Sequence, residues 1–139
     1  MKRSPMGPTV ESSLKRGLLL FAHGARDPRW ADPFRRIAAR VEAREPGLPV
    51  ELGFLEFMAP DLATAGARLA DAGCTNVDVL PLFLGTGGHV RKDLPALLES
   101  LAAQRPQVRW TLRAAIGEVD SVVEAMALAA LAAMEQSAP

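Results

Sequence analysis

Short apolar runs and longer segments of helical spacing alternate along this chain of 139 residues. Each apolar run has the length and hydrophobicity of a buried strand. Each is followed by a turn and then by apolar residues that recur with a period near 3.6. The pattern occurs four times, with strands predicted at residues 17–22, 50–55, 77–84 and 108–114. Such alternation is typical of parallel strands connected by helices.

Capping residues and helix breakers place the predicted helices between these strands. Asp32 is a predicted N-cap with Pro33 in the first turn, and Gly73 is a predicted C-cap. In chain order, the helices are predicted to start near residues 32, 61, 92 and 120, and the first three end before Pro46, at Gly73 and before Pro106.

These elements predict an α/β fold with one doubly wound domain, in which a four-stranded, mainly parallel sheet is flanked by helices. The expected strand order is the flavodoxin-like 2-1-3-4. The domain is predicted to span residues 16–139, after a loose polar leader at 1–15. Pro81 lies inside the third predicted strand, where it removes a ladder donor, and we expect a bulge there.

Composition narrows the classes of function. Acidic and basic residues balance at 16 each, so a broad basic surface for binding nucleic acid is not expected. Cys74 is the one cysteine, which argues against a disulfide, a cysteine-based zinc site or an iron–sulfur cluster, and favours a reducing, cytoplasmic setting. The apolar runs are too short to span a membrane.

The chain has only two histidines, and each follows a predicted strand. His23 comes directly after the first strand and His89 follows the third. In an open sheet of order 2-1-3-4, the winding direction reverses between these two strands, and ligands bind beyond their carboxyl ends. We therefore expect the two imidazoles to face each other across a ligand crevice, where they could share a metal ion or divide ligand and base roles.

Other residues near this edge are weaker candidates. The glycine-rich segment 85–88 could expose backbone donors to a ligand, or could simply be a turn. Glu56, after the second strand, could be a third polar group or an exposed loop residue. Asp93 could orient His89, or could favour the helix dipole as a first-turn residue. Four cationic residues could form a rim that binds a polyanionic ligand, or could simply be solvated. They are Arg26, Arg29, Arg91 and Lys92.

Three segments resemble the small CbiX/SirB-type class II chelatases, the sirohydrochlorin cobaltochelatase and ferrochelatase family. They are LLLFAHGARDPRWADPF, ELGFLEFMAPDL and VLPLFLGTGGHVRKDLP, and AAIGEVDSVVEAM extends the resemblance over nearly the whole predicted domain. The motifs HG-x-R-D-P and P-L-F-L-x-x-G-x-H-V-x-x-D-[LI]-P are specific in combination.

This resemblance implies an ATP-independent metal chelatase, a lyase that inserts Co²⁺, or Fe²⁺ or Ni²⁺, into sirohydrochlorin in cobalamin or sirohaem biosynthesis, without a nucleotide. It implies that His23 binds the metal and acts as base, and that His89 is the second metal ligand. It also implies a tetrapyrrole pocket lined by Leu84, Gly85, Thr86, Gly87, Gly88 and His89.

The chain departs from its relatives at two positions. Ala25 replaces a serine found in many of them, and Ala59 lies where archaeal relatives can carry a polar substrate contact. Neither contact can be carried over to this chain.

Two other functions remain open at the level of sequence. One is a phosphoryl-transfer enzyme with His23 as nucleophile, although Ala22 stands where histidine phosphatases need arginine. The other is a non-enzymatic tetrapyrrole- or flavin-binding module on the same fold.

The last predicted helix suggests a homodimer. Larger chelatases of this type contain two such domains, whereas this chain supplies one chelatase-like half. The helix is apolar around much of its circumference, so it needs burial on more than one side, by a two-fold partner or by its own sheet. The apolar residues are Val122, Val123, Met126, Leu128 and Leu131.

Overall fold

The computed structural model describes residues 14–85 and 87–136, without the side chains of residues 88–91. The predicted leader therefore lies outside the description as far as residue 13. In chain order the elements are β1 (Arg16–Ala22), a 3₁₀ turn (Pro28–Ala31), α1 (Asp32–Arg44), β2 (Val50–Phe54), α2 (Leu62–Asp71), β3 (Asn76–Pro81), α3 (Gly88–Gln104), β4 (Arg109–Leu112), a second 3₁₀ turn (Ile116–Glu118) and α4 (Asp120–Met134).

The four strands form one parallel sheet in the order β2-β1-β3-β4, which confirms the predicted fold class and strand order. β1 lies at the centre, where Leu20 is paired with Leu52 on one side and with Leu80 on the other. Because all strands point the same way, their carboxyl ends share one edge of the sheet. The direction of winding reverses between β1 and β3, as expected.

Helices cover both faces of the sheet. On one face, α2 and α3 pack on β1 and β3 in the larger core cluster, which includes Leu19, Val79, Leu69 and Leu101. On the other face, the 3₁₀ turn and α1 cover β1 and β2, where a smaller cluster centres on Phe54. The sheet is thus doubly wound, and its carboxyl edge remains available for function.

The predicted C-cap of α2, Gly73, lies one residue beyond the observed C-cap, which is Ala72, and has φ of +94°.

The start of α2 lies where it was predicted, near Asp61, whereas the N-cap predicted for α1 is wrong. The Asp61 side chain accepts a hydrogen bond from the Thr64 amide at 2.8 Å, and this bond holds the pKa of Asp61 below its usual value. Asp32, by contrast, is the first residue of α1 and follows Ala31 as N-cap. The capping role belongs instead to Asp27, because a 3₁₀ turn comes directly before the helix.

Pro81 does not require the predicted bulge. It is the last residue of β3, where it pairs with Phe21 in an unbroken register. The carbonyl of Val79 accepts from Arg113 on the β4 side, so the Pro81 nitrogen, two residues later, faces the same side. β4 ends at Leu112, which is paired with Val79. No residue of β4 therefore lies opposite Pro81, and the missing N–H group of Pro81 costs the sheet no hydrogen bond.

The segment after β3 also differs from its prediction. β3 ends at Pro81 rather than Leu84, and α3 begins at Gly88, four residues before the predicted start at Lys92. Pro95 lies inside this helix. Asp93 consequently lies beyond the first turn, contrary to its predicted position.

The C-terminal helix α4 starts at Asp120 as predicted, but its described residues bury no side chain. Within the described part of the chain it packs chiefly against the 3₁₀ turn Ile116–Glu118. Leu131 is 60% exposed and Met134 is 80% exposed. The alternative that α4 packs on its own sheet is therefore wrong for this structure.

None of the described helices is both long and apolar enough to cross a bilayer. Cys74 is buried as a free thiol beneath β1, and its burial raises the pKa of the thiol.

Candidate functional site

The carboxyl edge of the sheet brings together residues that follow three different strands. His23 comes directly after β1, Glu56 comes two residues after β2, and Phe83 comes two residues after β3. Their convergence follows from the parallel topology, because consecutive strands of the sheet end side by side.

His23 and Glu56 form the central contact of this edge. The Nε2 atom of His23 lies 3.0 Å from Oε2 of Glu56. Their side chains are 45% and 48% exposed, so both groups remain accessible from solvent. An imidazole and a carboxylate at this separation can hold a shared proton or offer two ligand atoms to one cation.

Backbone bonds fix the two loops that carry this pair. The β1–β2 ladder continues past the formal strand ends, since Leu55 donates to Ala22 and Glu56 donates to the His23 carbonyl at 3.1 Å. Gly24 follows with φ of +94°, and a Cβ built there would lie 1.9 Å from the carbonyl oxygen of Glu56. Only glycine permits this approach, so the sequence His23–Gly24 is a structural requirement of the site.

An aromatic wall lies on the other side of His23. The rings of His23 and Phe83 meet edge to face, with centroids 6.3 Å apart, and Phe83 makes a similar contact with Phe21. Leu84, the next residue, is 61% exposed, and its carbonyl lies against Gly117, where a Cβ would come within 1.9 Å. The start of the predicted pocket segment is therefore held beside the imidazole.

The rest of that segment is described only in part. Gly85 and Gly87 have open space where a side chain would be. Thr86 lies outside the described residues, as do the side chains of His89 and Arg91, and Gly88 is described only as the first residue of α3. His89 belongs to the first turn of α3, on the same edge of the sheet as His23, and the facing of the two imidazoles stays a prediction.

The predicted cationic rim has two members with defined contacts. Arg29 pairs with Asp27 at 3.0 Å, and this pairing lowers the pKa of Asp27. Arg26 places its guanidinium 4.7 Å from the ring centroid of Phe57. Lys92 is exposed on α3.

Two features of the edge were missed by sequence reasoning. The sequence did not decide whether Glu56 is a site residue or an exposed loop residue, and the structure pairs it with His23. Phe57 and Phe83 were not identified at all, because an aromatic residue after a strand looks the same whether it is core or site. Among the described side chains, no group of three histidine, cysteine or acidic residues is arranged to hold a metal ion, and His23 with Glu56 forms a pair.

The topology defines an α/β protein with a parallel, doubly wound sheet, and the histidine–carboxylate pair marks a candidate ligand site at its switch point. The family model for CbiX matches residues 17–131, and the chain belongs to the CbiX family.

Two curated relatives illustrate the match. A sirohydrochlorin cobaltochelatase of Saccharolobus islandicus is 40% identical over 82 residues, which are 59% of this chain and 62% of the relative. The enzyme of the same name from Methanococcus maripaludis is 35% identical over 81 residues, 58% of this chain and 56% of that protein. The matched region thus spans less than two thirds of the length of these relatives.

Solved structures agree with the fold. The CbiX protein from Marinobacter aquaeolei VT8 matches with a TM-score of 0.79 at 30% identity, over 88% of this chain and 99% of that one. The sirohydrochlorin chelatase SirB from Bacillus subtilis subspecies spizizenii, in complex with cobalt, matches with a TM-score of 0.73 at 26% identity. That alignment covers 83% of this chain and 49% of SirB.

Proposed function

We propose that this protein inserts a divalent metal ion into sirohydrochlorin, without ATP, in the biosynthesis of cobalamin or sirohaem. The observation that carries the proposal is the contact of His23 with Glu56 at the switch point, in a chain whose curated relatives are named sirohydrochlorin cobaltochelatase. Cobalt is the preferred substrate metal, with iron and nickel as alternatives. The reaction requires no nucleotide, and we place the enzyme in the cytoplasm.

Metal insertion exchanges two pyrrole protons for one divalent ion, so the site must bind the metal and remove protons. His23 is proposed to do both, because a neutral imidazole can ligate a metal and can accept a proton near neutral pH. Glu56, 3.0 Å away, is proposed as a second ligand atom and as the group that receives the proton from His23. Both side chains are half exposed, so the proton can leave to water.

His89 is proposed as a further metal ligand that approaches from α3. A site made from two imidazoles and one carboxylate leaves coordination positions free for the pyrrole nitrogens, as transfer of the metal demands. Closed, four-ligand sites hold their metal instead of releasing it. The proposed set therefore suits a metal that is a substrate.

The loss of His89 should weaken metal binding more than tetrapyrrole binding. We expect His89→Ala to raise the dissociation constant for Co²⁺ at least about tenfold, with a smaller change in the affinity for metal-free sirohydrochlorin. Titration calorimetry with Co²⁺ and fluorescence titration with sirohydrochlorin measure the two affinities separately. Co²⁺ affinity equal to that of the parent protein would remove His89 from the ligand set.

The tetrapyrrole is proposed to lie against the segment from Leu84 to His89, above the ring of Phe83. Sirohydrochlorin carries many carboxylates, and Arg26, Arg91 and Lys92 are the cations proposed to bind them. Arg29 is a weaker member of this rim, since it already pairs with Asp27.

The decisive experiment is an anaerobic insertion assay with Co²⁺, Fe²⁺ and Ni²⁺, followed by the change in the visible spectrum of sirohydrochlorin. We expect the protein to accelerate insertion of at least Co²⁺ above the spontaneous rate. Tight binding of sirohydrochlorin without any acceleration would identify a binding module instead, and a phosphohistidine at His23 would identify a phosphoryl-transfer enzyme.

The working unit is proposed to be a homodimer formed through α4. Exposed apolar side chains run along this helix, including Val123, Met126, Leu128 and Leu131, which are 48% to 60% exposed. An exposed apolar surface of this kind is typical of protein interfaces, and a two-fold pair is the commonest assembly. A second copy would also supply a second wall for a macrocycle at the open edge of the sheet.

Light scattering coupled to size exclusion should therefore give twice the chain mass of 14.8 kDa at micromolar concentration. Leu131→Glu on α4 should shift the protein to the monomer, because burying a charge at an apolar interface is unfavourable. Ile37→Glu is the matched control, since Ile37 is an exposed apolar residue of α1. A fully active parent of monomeric mass would contradict the dimer.

A further inference from the structure

Phe57 combines two features that are uncommon for a bulky residue. Its backbone has φ of +67°, in the left-handed region that favours glycine, and its side chain is 56% exposed. Left-handed backbone is a steric outlier for an aromatic residue, and such conformations cluster where the position of a side chain matters for function. Because the ring is largely exposed, core packing does not offset the unfavourable backbone conformation of Phe57.

The residues on both sides hold Phe57 in this position. Before it, Glu56 is bonded to the His23 backbone and pairs with the His23 ring. After it, Met58 packs against the buried cluster around Phe54, and the Phe54 amide donates to Pro60 to close the loop. Phe57 is therefore fixed between two anchored neighbours, next to the residues proposed to handle the metal.

A cation lies over the ring. The Arg26 guanidinium is 4.7 Å from the ring centroid of Phe57, within the range of a cation–π interaction. The carboxylates nearest in sequence to the two residues are engaged elsewhere, since Asp27 pairs with Arg29 and Glu56 pairs with His23. Arg26 is exposed and can bind a carboxylate of a ligand while it remains on the ring.

We propose that Phe57 and Arg26 form a substrate clamp at the rim of the site, in which the exposed part of the ring contacts the apolar macrocycle and the guanidinium binds a peripheral carboxylate. This inference rests on the proposed function and deepens it. A flat, conjugated polycarboxylate is the ligand class that matches an aromatic surface and a cation side by side. The left-handed backbone of Phe57 is then a conformation retained because it points the ring at the substrate.

The test uses Phe57→Gly, which removes the ring and relieves the backbone conformation together. We expect this variant to bind metal-free sirohydrochlorin about tenfold more weakly, to show a correspondingly higher KM, and to keep the Co²⁺ affinity of the parent. Because glycine accepts positive φ, the melting temperature should stay equal or rise. Phe57→Trp keeps an aromatic face and should retain most of the affinity.

Ile37→Ala on the outer face of α1 is the control for loss of exposed apolar surface, and it should leave sirohydrochlorin affinity unchanged. Arg26→Gln should weaken binding and reduce its salt dependence. Unchanged sirohydrochlorin affinity in Phe57→Gly, in a parent that binds and turns over sirohydrochlorin, overturns the clamp alone. A parent that does not bind sirohydrochlorin overturns the proposed function and the clamp together.

Discussion

We expect His23→Ala to lower the rate of Co²⁺ insertion into sirohydrochlorin by about 10² to 10⁴, which is the range that a positioned general base contributes. The proposed role of His23 as both ligand and base puts the variant at the upper end of that range. The fold should survive, because the side chain is 45% exposed and extends from the end of β1 outside the core. Stopped-flow absorbance measures the rate, and circular dichroism verifies the fold.

The neighbouring carboxylate supplies a graded comparison. Glu56→Gln keeps the size of the side chain and the approach to His23 but removes the charge, so it should slow insertion less than His23→Ala does. Asp71→Asn is the matched control for loss of an acidic ion-pair partner, because Asp71, the last residue of α2, pairs with Arg105 at 2.8 Å. Near-normal turnover in a well-folded His23→Ala protein would falsify the assignment of His23.

The fold could be predicted from the sequence because strong signals agreed. Near-continuous apolar runs of strand length, each followed by a segment of helical spacing, leave few topologies, and the right-handed crossover rule reduces them further. The predicted strand order also places His23 at the carboxyl edge of the sheet. The position of a residue after a strand is thus predictable when the strand order is.

The details that failed depend on competition between neighbouring signals. Asp32 has the chemistry of an N-cap, but a 3₁₀ turn capped by Asp27 comes first and takes the chain directly into α1. The start of α3 was predicted near Lys92, although helical backbone extends upstream to Gly88. A capping or breaking residue indicates a preference of the local chain, and the adjacent turn decides where the helix begins.

The partner of Glu56 could not be predicted for a different reason. Glu56 and His23 are 33 residues apart in sequence, and their pairing depends on how closely the loops after β1 and β2 approach each other. No local sequence pattern encodes that approach. Likewise, the apolar composition of α4 indicated a need for burial but did not say whether the sheet or another copy provides it. Contacts between loops and between chains require the three-dimensional arrangement.

Gly24 permits the close approach of the two loops, and its substitution should strongly disrupt the site. A Cβ at this position would lie 1.9 Å from the Glu56 carbonyl oxygen, and the φ of +94° is itself unfavourable for alanine. Backbone strain alone costs about 1–3 kcal/mol, and the clash adds to it. We expect Gly24→Ala to lower the free energy of unfolding by about 3 kcal/mol and Tm by roughly 10 °C.

Activity should fall further than stability, because relief of the clash must move the Glu56 backbone away from His23 and lengthen the 3.0 Å contact. A displacement of about 1 Å at a reacting group can cost about 10²-fold in rate. Gly47→Ala is the matched control, since its Cβ would meet nothing within 4 Å, and it should change neither Tm nor turnover. If Gly24→Ala kept the parent Tm and insertion rate, the close approach of the two loops would have no part in building the site.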